Sequence, residues 1–279
     1  MNISAKPASV QDSPLAWRML AVAFVAGFVV FGVIYSFGVF LQPLMRHFGA
    51  SSSATSAYYA ISSLAFYLLG PVTGRIGDRY GPRKATALGA LLMGLGLAAT
   101  AGIGNLWIGY VTYGLGVGAG AACAYVPTFA NLGGWFDRWR TTALGIAAAG
   151  TGCGMLVLPP LTAVLIESMG WRSAFVALGI GSGALLAACA LFVHPPPSVK
   201  EAVAHRPLRE ALQSREFRLL YVSWLFGTMA LFVPMVFLPA YAIQHGADPV
   251  AASWLISILG GTSIAGRLGI GFLGDRVET

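Results

Sequence analysis

Of the 17 lysines and arginines, Arg267 is the one that falls well inside a long apolar run and not at its edge, about two turns before Gly274-Asp275-Arg276. An arginine at the centre of a membrane helix costs about 2.5–3.5 kcal/mol, so such a residue normally faces a cavity and meets an anion. Its planar fork can hold a carboxylate through two parallel hydrogen bonds. The plainer alternative is an arginine whose head snorkels to a nearby interface. The chemistry this points to is anion binding rather than bond making. The sequence offers no Ser-His-Asp set, no paired catalytic carboxylates and no cofactor loop, so an enzyme is not expected. His47, His194, His205 and His245 fall at or beyond the ends of apolar runs without metal-ligand spacing, and no metal site or cofactor is expected. Cys123, Cys153 and Cys189 lie singly inside apolar runs and read as small packing residues.

A second set of charged residues sits in a turn that recurs. Gly74-Arg-Ile-Gly77-Asp78-Arg79-Tyr-Gly81-Pro-Arg83-Lys84 separates two apolar runs, and Gly271-Phe-Leu-Gly274-Asp275-Arg276 echoes it 197 positions later. Gly70, Gly74 and Gly77 share one helical face, which lets a neighbouring helix approach. Asp78 suits a helix N-terminus, where the dipole favours an anion. Arg79, Arg83 and Lys84 suit carboxylates, helix C-terminal carbonyls or lipid phosphates. A lone Asp-Arg would read as an ordinary positively charged loop; its repetition points to a duplicated membrane bundle.

Composition dictates the elements that must carry these residues. Apolar residues make up 57% of the chain and charged residues 10%, against about 25% charged in ordinary soluble domains. Eight apolar runs of membrane-spanning length follow one another, at about 19–44, 58–76, 85–103, 106–132, 142–166, 174–193, 217–243 and 251–273. The first run is too long for a cleaved leader and is expected to stay in the protein. Fourteen Lys and Arg fall on one side of these spans, including Arg18, Arg79, Arg138 and Arg215, and only Arg46 and Arg172 on the other. That bias makes the first side cytoplasmic. It also accounts for the net charge of +7 without nucleic acid as a partner. The expected layout is a cytoplasmic N-terminus (1–18), a six-helix bundle (19–194), a cytoplasmic linker (195–216) and two further helices (217–279). Within the linker, 207–216 reads as a short amphipathic helix lying on the membrane surface. Gly114-x-Gly116-x-Gly118-x-Gly120 has no preceding strand and no Lys-Ser/Thr, so it reads as close helix packing and not as a nucleotide loop.

The motif Gly-x3-Asp-Arg-x-Gly-x-Arg at 74–83 resembles the signature loop of the major facilitator superfamily. Tyr35-Ser36-Phe37-Gly38-Val39-Phe40, the stretch from Trp135-Phe136 to Gly154, and Gly170-Trp171-Arg172-x2-Phe175 are similar to its monocarboxylate porter branch. The related oxalate–formate antiporters share much of the pattern. The resemblance implies an all-α integral membrane fold, with a complete N-terminal six-helix half followed by the first two helices of the C-terminal half. On the repeat period, about 120 further residues and four spans are expected after Thr279. Residues 1–279 alone are then expected to insert without transporting.

What the resemblance implies about function is a secondary carrier of a small organic anion, a monocarboxylate first, in the inner (plasma) membrane and working by alternating access. An oxalate/formate-type exchanger and a non-transporting remnant or sensor are the alternatives. Arg267 stands where monocarboxylate porters carry a substrate-binding arginine. Tyr125, Asn131 and Tyr35 are the polar side chains expected nearest the cavity. Gly74, Asp78, Arg79, Gly81 and Arg83, with Gly274, Asp275 and Arg276, are implied to form a conformational latch. A proton is the candidate co-substrate, but no Asp or Glu lies in the middle of a span. The chain also departs from the branch: Ser263 stands where an acidic residue is frequent, Val39 where animal members carry a lysine, and Phe237 where many bacterial members have a histidine.

Overall fold

A computed structural model describes residues 11–196 and 213–277, with side chains given as far as Leu273 apart from several between 225 and 235. The expected helix at 207–216 lies mostly outside the described residues, and the side chains of Gly274, Asp275 and Arg276 lie outside them as well. Every regular element among the described residues is helical. We number them α1 (Pro14–Phe48), α2 (Ser52–Tyr80), α3 (Pro82–Ala101), α4 (Leu106–Leu132), α5 and α6 (the two arms of Arg140–Phe192), α7 (Arg215–Gln244) and α8 (Pro249–Val277). Five continuous helices are long and apolar enough to cross a membrane: α1, α3, α4, the Arg140–Phe192 pair and α8.

Polar caps start several of the helices. Ser51 Oγ accepts from Ala54 N at 3.2 Å, Asn105 Oδ1 from Ile108 N at 3.0 Å, and Ser214 Oγ from Phe217 N at 3.0 Å. Asp248 Oδ2 accepts from both Val250 N (3.0 Å) and Ala251 N (3.1 Å). Each such cap satisfies donors that the first turn leaves open, a contribution of about 1 kcal/mol. The stretch expected as a turn at 74–84 is mostly helix. α2 continues through Tyr80, one residue, Gly81, breaks the chain with φ 88°, and Pro82 starts α3. Gly170 separates α5 from α6 in the same way, at φ 80° and ψ 162°, where a Cβ would be strained.

α6 runs back along α1. Trp171 packs on His47 and Phe48 at one end of the bundle, and Cys189 Sγ lies 3.8 Å from Val22 O toward the other. Phe40 of α1 stacks on Phe175 of α6 with ring centroids 3.8 Å apart. Arg172 ties the start of α6 to the end of α3. It donates to Ala101 O (3.1 Å) and Ile103 O (3.2 Å), carbonyls that the end of α3 leaves open, and its guanidinium lies 4.4 Å over the Trp171 ring.

α4 is the centre of the first six helices, and its four glycines form two rails. A Cβ at Gly114 would lie 2.7 Å from Ile61 Cγ2, and one at Gly118 would lie 2.8 Å from Ala65 Cβ, both on α2. A Cβ at Gly116 would lie 3.2 Å from Gly96 Cα, and one at Gly120 would lie 2.8 Å from Met93 Cβ, both on α3. Residues four apart share a face, so a Gly-x-Gly-x-Gly-x-Gly run serves two neighbours at once. Part of the run is π-helical, over Tyr110–Val117.

α8 packs antiparallel to α5. Glycines line this seam too: a Cβ at Gly145 would lie 2.9 Å from Arg267 O and 3.0 Å from Gly271 Cα, and one at Gly260 would lie 2.8 Å from Leu156 N. Ser257 Oγ donates to Leu156 O at 2.8 Å, and Thr142 Oγ1 to Gly271 O at 3.3 Å. Such cross-helix bonds contribute about 0.6 kcal/mol each in a membrane, so close backbone packing carries most of the contact.

Candidate functional site

Arg267 sits about two helical turns before the charged end of α8 at Gly274-Asp275-Arg276, roughly 10 Å into the apolar span. At that depth its charge does not stand free. Nη1 donates to Ala148 O at 2.6 Å and also to Thr151 Oγ1. Both acceptors belong to α5, one helical turn apart on the face that meets α8. Thr151 Oγ1 in turn donates to Ala148 O at 2.8 Å, closing a three-membered set. The two hydrogens of Nη1 are used in this way, while Nε and Nη2 have no hydrogen-bond partner among the described residues. That free edge carries the parallel N–H pair suited to a carboxylate.

Tyr35 of α1 and Tyr125 of α4 both lie within electrostatic reach of Arg267, and Tyr67 of α2 lies within reach of both phenols. Aromatic contacts join the helices that bear them. Phe31 meets Tyr35 at 5.7 Å, Phe66 at 5.7 Å and Tyr125 at 4.9 Å between ring centroids, and Tyr125 meets Phe129 at 4.3 Å. From α7, Tyr221 OH donates to Tyr67 O at 3.4 Å. The arrangement is a cation held on one wall, α8 against α5, with phenols and phenyl rings from α1, α2 and α4 grouped near it. The unpartnered Nε/Nη2 edge can donate two parallel hydrogen bonds. It contains no nucleophile–base pair, and no group of three or more His, Cys, Asp and Glu is placed to hold a metal among the described residues.

Three of the four residues read from the sequence as lining the site, Arg267, Tyr35 and Tyr125, are thus brought together. Asn131 is not. Its Nδ2 donates to His194 O at 2.8 Å, and Trp135 Nε1 donates to the same carbonyl at 3.3 Å. The amide therefore ties the end of α4 to the segment that follows α6. A polar side chain near a helix end can satisfy a carbonyl that a neighbouring helix leaves open, and this one does. Tyr67, Thr151 and the Ala148 carbonyl were not singled out. Nothing distinguishes Tyr67 from the other tyrosines in sequence, and a backbone carbonyl has no sequence signature.

The turn residues occupy the Lys/Arg-rich end. Asp78, Arg79 and Arg83 are exposed. Gly70 and Gly74 face Val126 of α4 with room for a Cβ at 3.9 Å, whereas a Cβ at Gly77 would lie 2.6 Å from Pro127 Cβ. Close approach along this face is therefore confined to Gly77. Thr86 Oγ1 and Thr128 Oγ1, 3.1 Å apart, and Thr73 Oγ1 to Ala122 O at 3.1 Å fasten α2, α3 and α4 together beneath the turn.

Comparison with known proteins agrees with this architecture. The chain is 29% identical over 269 residues to monocarboxylate transporter 13 of Bos taurus, covering 95% of this chain and 63% of that protein. It is 31% identical over 275 residues to monocarboxylate transporter 3 of Rattus norvegicus, covering 94% and 56%. The chain thus spans about 60% of the length of these relatives. Among solved structures, a D-xylose-proton symporter superposes with a TM-score of 0.66 at 16% identity, over 89% of this chain and 66% of that one. A bacterial homologue of the lysosomal transporter Spinster superposes with a TM-score of 0.68 at 18% identity, over 89% and 60%. A family profile described as Major Facilitator Superfamily matches residues 23–279. With glycine rails, a Gly-Asp-Arg sequence at a helix end and a half-buried arginine in one helical bundle, and with that match over nearly its whole length, the chain belongs to the major facilitator superfamily.

Proposed function

We propose that this chain forms the substrate-binding part of a secondary carrier for small organic anions, monocarboxylates first, operating by alternating access with its N-terminus in the cytoplasm of a cell bounded by the plasma membrane. The observation that carries the reading is the Arg267 guanidinium well inside α8, bound by one nitrogen to α5, with its Nε/Nη2 edge unpartnered among the described residues and with Tyr35 and Tyr125 within electrostatic reach. A carboxylate on that edge would offset the cost of holding the charge away from water. The likeness to monocarboxylate transporters along nearly the whole chain supports the same class.

Binding of labelled lactate to the purified chain in lipid nanodiscs tests the site. Arg267→Lys keeps the charge and loses the fork, and is expected to weaken affinity moderately. Arg267→Gln loses both, and is expected to weaken it tenfold to a hundredfold, the effect of about one charged hydrogen bond. Parental affinity in a well-inserted Arg267→Gln protein would remove Arg267 as the carboxylate site. Lactate counterflow by the product of the whole gene then distinguishes exchange from symport. Under the same reading, Gly74, Asp78, Arg79, Gly81 and Arg83 and their counterparts Gly274, Asp275 and Arg276 set the balance between outward- and inward-facing states.

A further inference from the structure

One nitrogen of the Arg267 guanidinium is engaged, and its Nε/Nη2 edge has no hydrogen-bond partner among the described residues. Nη1 is spent on Ala148 O and Thr151 Oγ1, so rotation about the outer bonds of the side chain would break two hydrogen bonds together. Thr151 is itself fixed. It is 2% exposed, its hydroxyl donates to Ala148 O, and its methyl group packs toward α1, where a Cβ at Gly27 would lie 3.2 Å from Thr151 Cγ2. The two ends of one threonine thus meet two helices, the methyl α1 and the hydroxyl α8.

We propose that Thr151 is a positioning residue for anion recognition: with the Ala148 carbonyl it locks the Arg267 guanidinium so that the Nε/Nη2 edge is presented as a fixed planar fork. This rests on the carboxylate reading of Arg267. It explains how an arginine with long, flexible torsions can discriminate by shape. A fixed fork offers two parallel N–H donors that match a pair of oxygens on one anion, whereas a freely turning one acts as a diffuse positive charge that accepts an oxyanion and a spherical anion alike. It also places the selectivity determinant on α5, a helix that itself bears no charge at this depth.

Two measurements test it, and the first needs no substrate. Phenylglyoxal condenses with the Nη nitrogens of arginine, and its rate at Arg267 can be followed by mass spectrometry of the peptide that contains it. Thr151→Val keeps the methyl packing against Gly27 and removes the hydroxyl. It is expected to speed modification of Arg267 about threefold to tenfold. Thr151→Ser keeps the hydroxyl, loses the methyl, and is expected to modify at the parental rate. An unchanged rate in Thr151→Val, or an equal rise in Thr151→Ser, overturns the lock.

The second measurement compares affinity for lactate with that for bromide, an anion of the same charge that has no pair of oxygens for the fork. Thr151→Val is expected to lose about threefold to tenfold for lactate while bromide changes less than twofold, and Thr151→Ser is expected to restore the preference. Equal losses for both anions mean general damage and overturn the selectivity claim. If the phenylglyoxal result holds while the unmodified chain binds neither anion, the lock stands and the carboxylate reading of Arg267 falls.

Discussion

α2 and α8 occupy equivalent places in the duplicated sequence, and they use the same positions for different purposes. At the 197-residue offset Gly70 pairs with Arg267 and Gly74 with Gly271. On α2 these positions face Val126 of α4, inside one six-helix bundle, with ordinary van der Waals space. On α8 they face α5, where Gly271 abuts Gly145 and Arg267 donates to Ala148 O and Thr151 Oγ1. One copy has become packing, and the other holds a charge at depth. Duplication supplies the helix, and the function is decided by which neighbour the helix meets.

The sharpest break of this comparison is Gly145→Leu. Its Cβ would meet backbone atoms, Arg267 O at 2.9 Å and Gly271 Cα at 3.0 Å, which cannot move aside as a flexible side chain would. α8 is expected to leave α5, with loss of lactate binding and a lower unfolding temperature in detergent, while α1–α6 stay assembled. A parental unfolding temperature would mean that the α5–α8 seam is looser than its glycines suggest.

A smaller effect is expected at the other end of the repeat. Asp78 is exposed, so Asp78→Asn should leave folding untouched. As a latch residue it should nonetheless shift the carrier toward the inward-facing state and slow transport by the whole gene product about threefold to tenfold, the scale of a charge near a helix dipole. Unchanged uptake together with unchanged cysteine accessibility on the cytoplasmic side would count against the latch.

The smallest effects separate two glycines on one face of α2. Gly77→Ala pushes a methyl against the rigid Pro127 ring and is expected to cost about 1–3 kcal/mol. Gly74→Ala meets only Val126 at 3.9 Å and is expected to be neutral or to stabilise by up to about 1 kcal/mol through helix propensity. Thermal unfolding of the two variants side by side checks the difference. Equal destabilisation would mean that α2 and α4 lie closer at position 74 than they do here.

Much of this was legible in the sequence, because membrane physics leaves few ways to read it. An apolar run of span length becomes a helix, a lone charge inside one demands a partner, and glycines four apart imply a close neighbour. Arg267 and the rails of α4 could be read on those grounds. The partners could not. Arg267 is held by a carbonyl and a hydroxyl more than a hundred positions away, and neither residue type is unusual in a span. Asn131 was misplaced for a related reason. A polar side chain at the edge of an apolar run looks like a cavity residue until the chain that returns beside it, here at His194, brings a carbonyl within reach. The turn at 74–84 looked longer than it is because charged residues suggest loop, while the backbone needs a single glycine, Gly81, to change direction.

The two glycine rails of α4 also determine how that helix can change over evolutionary time. Gly114 and Gly118 are closed against α2, Gly116 and Gly120 against α3, and the residues left over form a third stripe. Trp107, Val111 and Leu115 are 76%, 59% and 51% exposed and point away from the bundle. Along this helix, then, drift should be confined to one narrow strip, where any greasy residue will serve, while Gly118 and Gly120 meet backbone atoms of α2 and α3 that cannot move aside. Libraries randomised at 107, 111 and 115 should return nearly every apolar residue, and libraries randomised at 118 and 120 should return glycine.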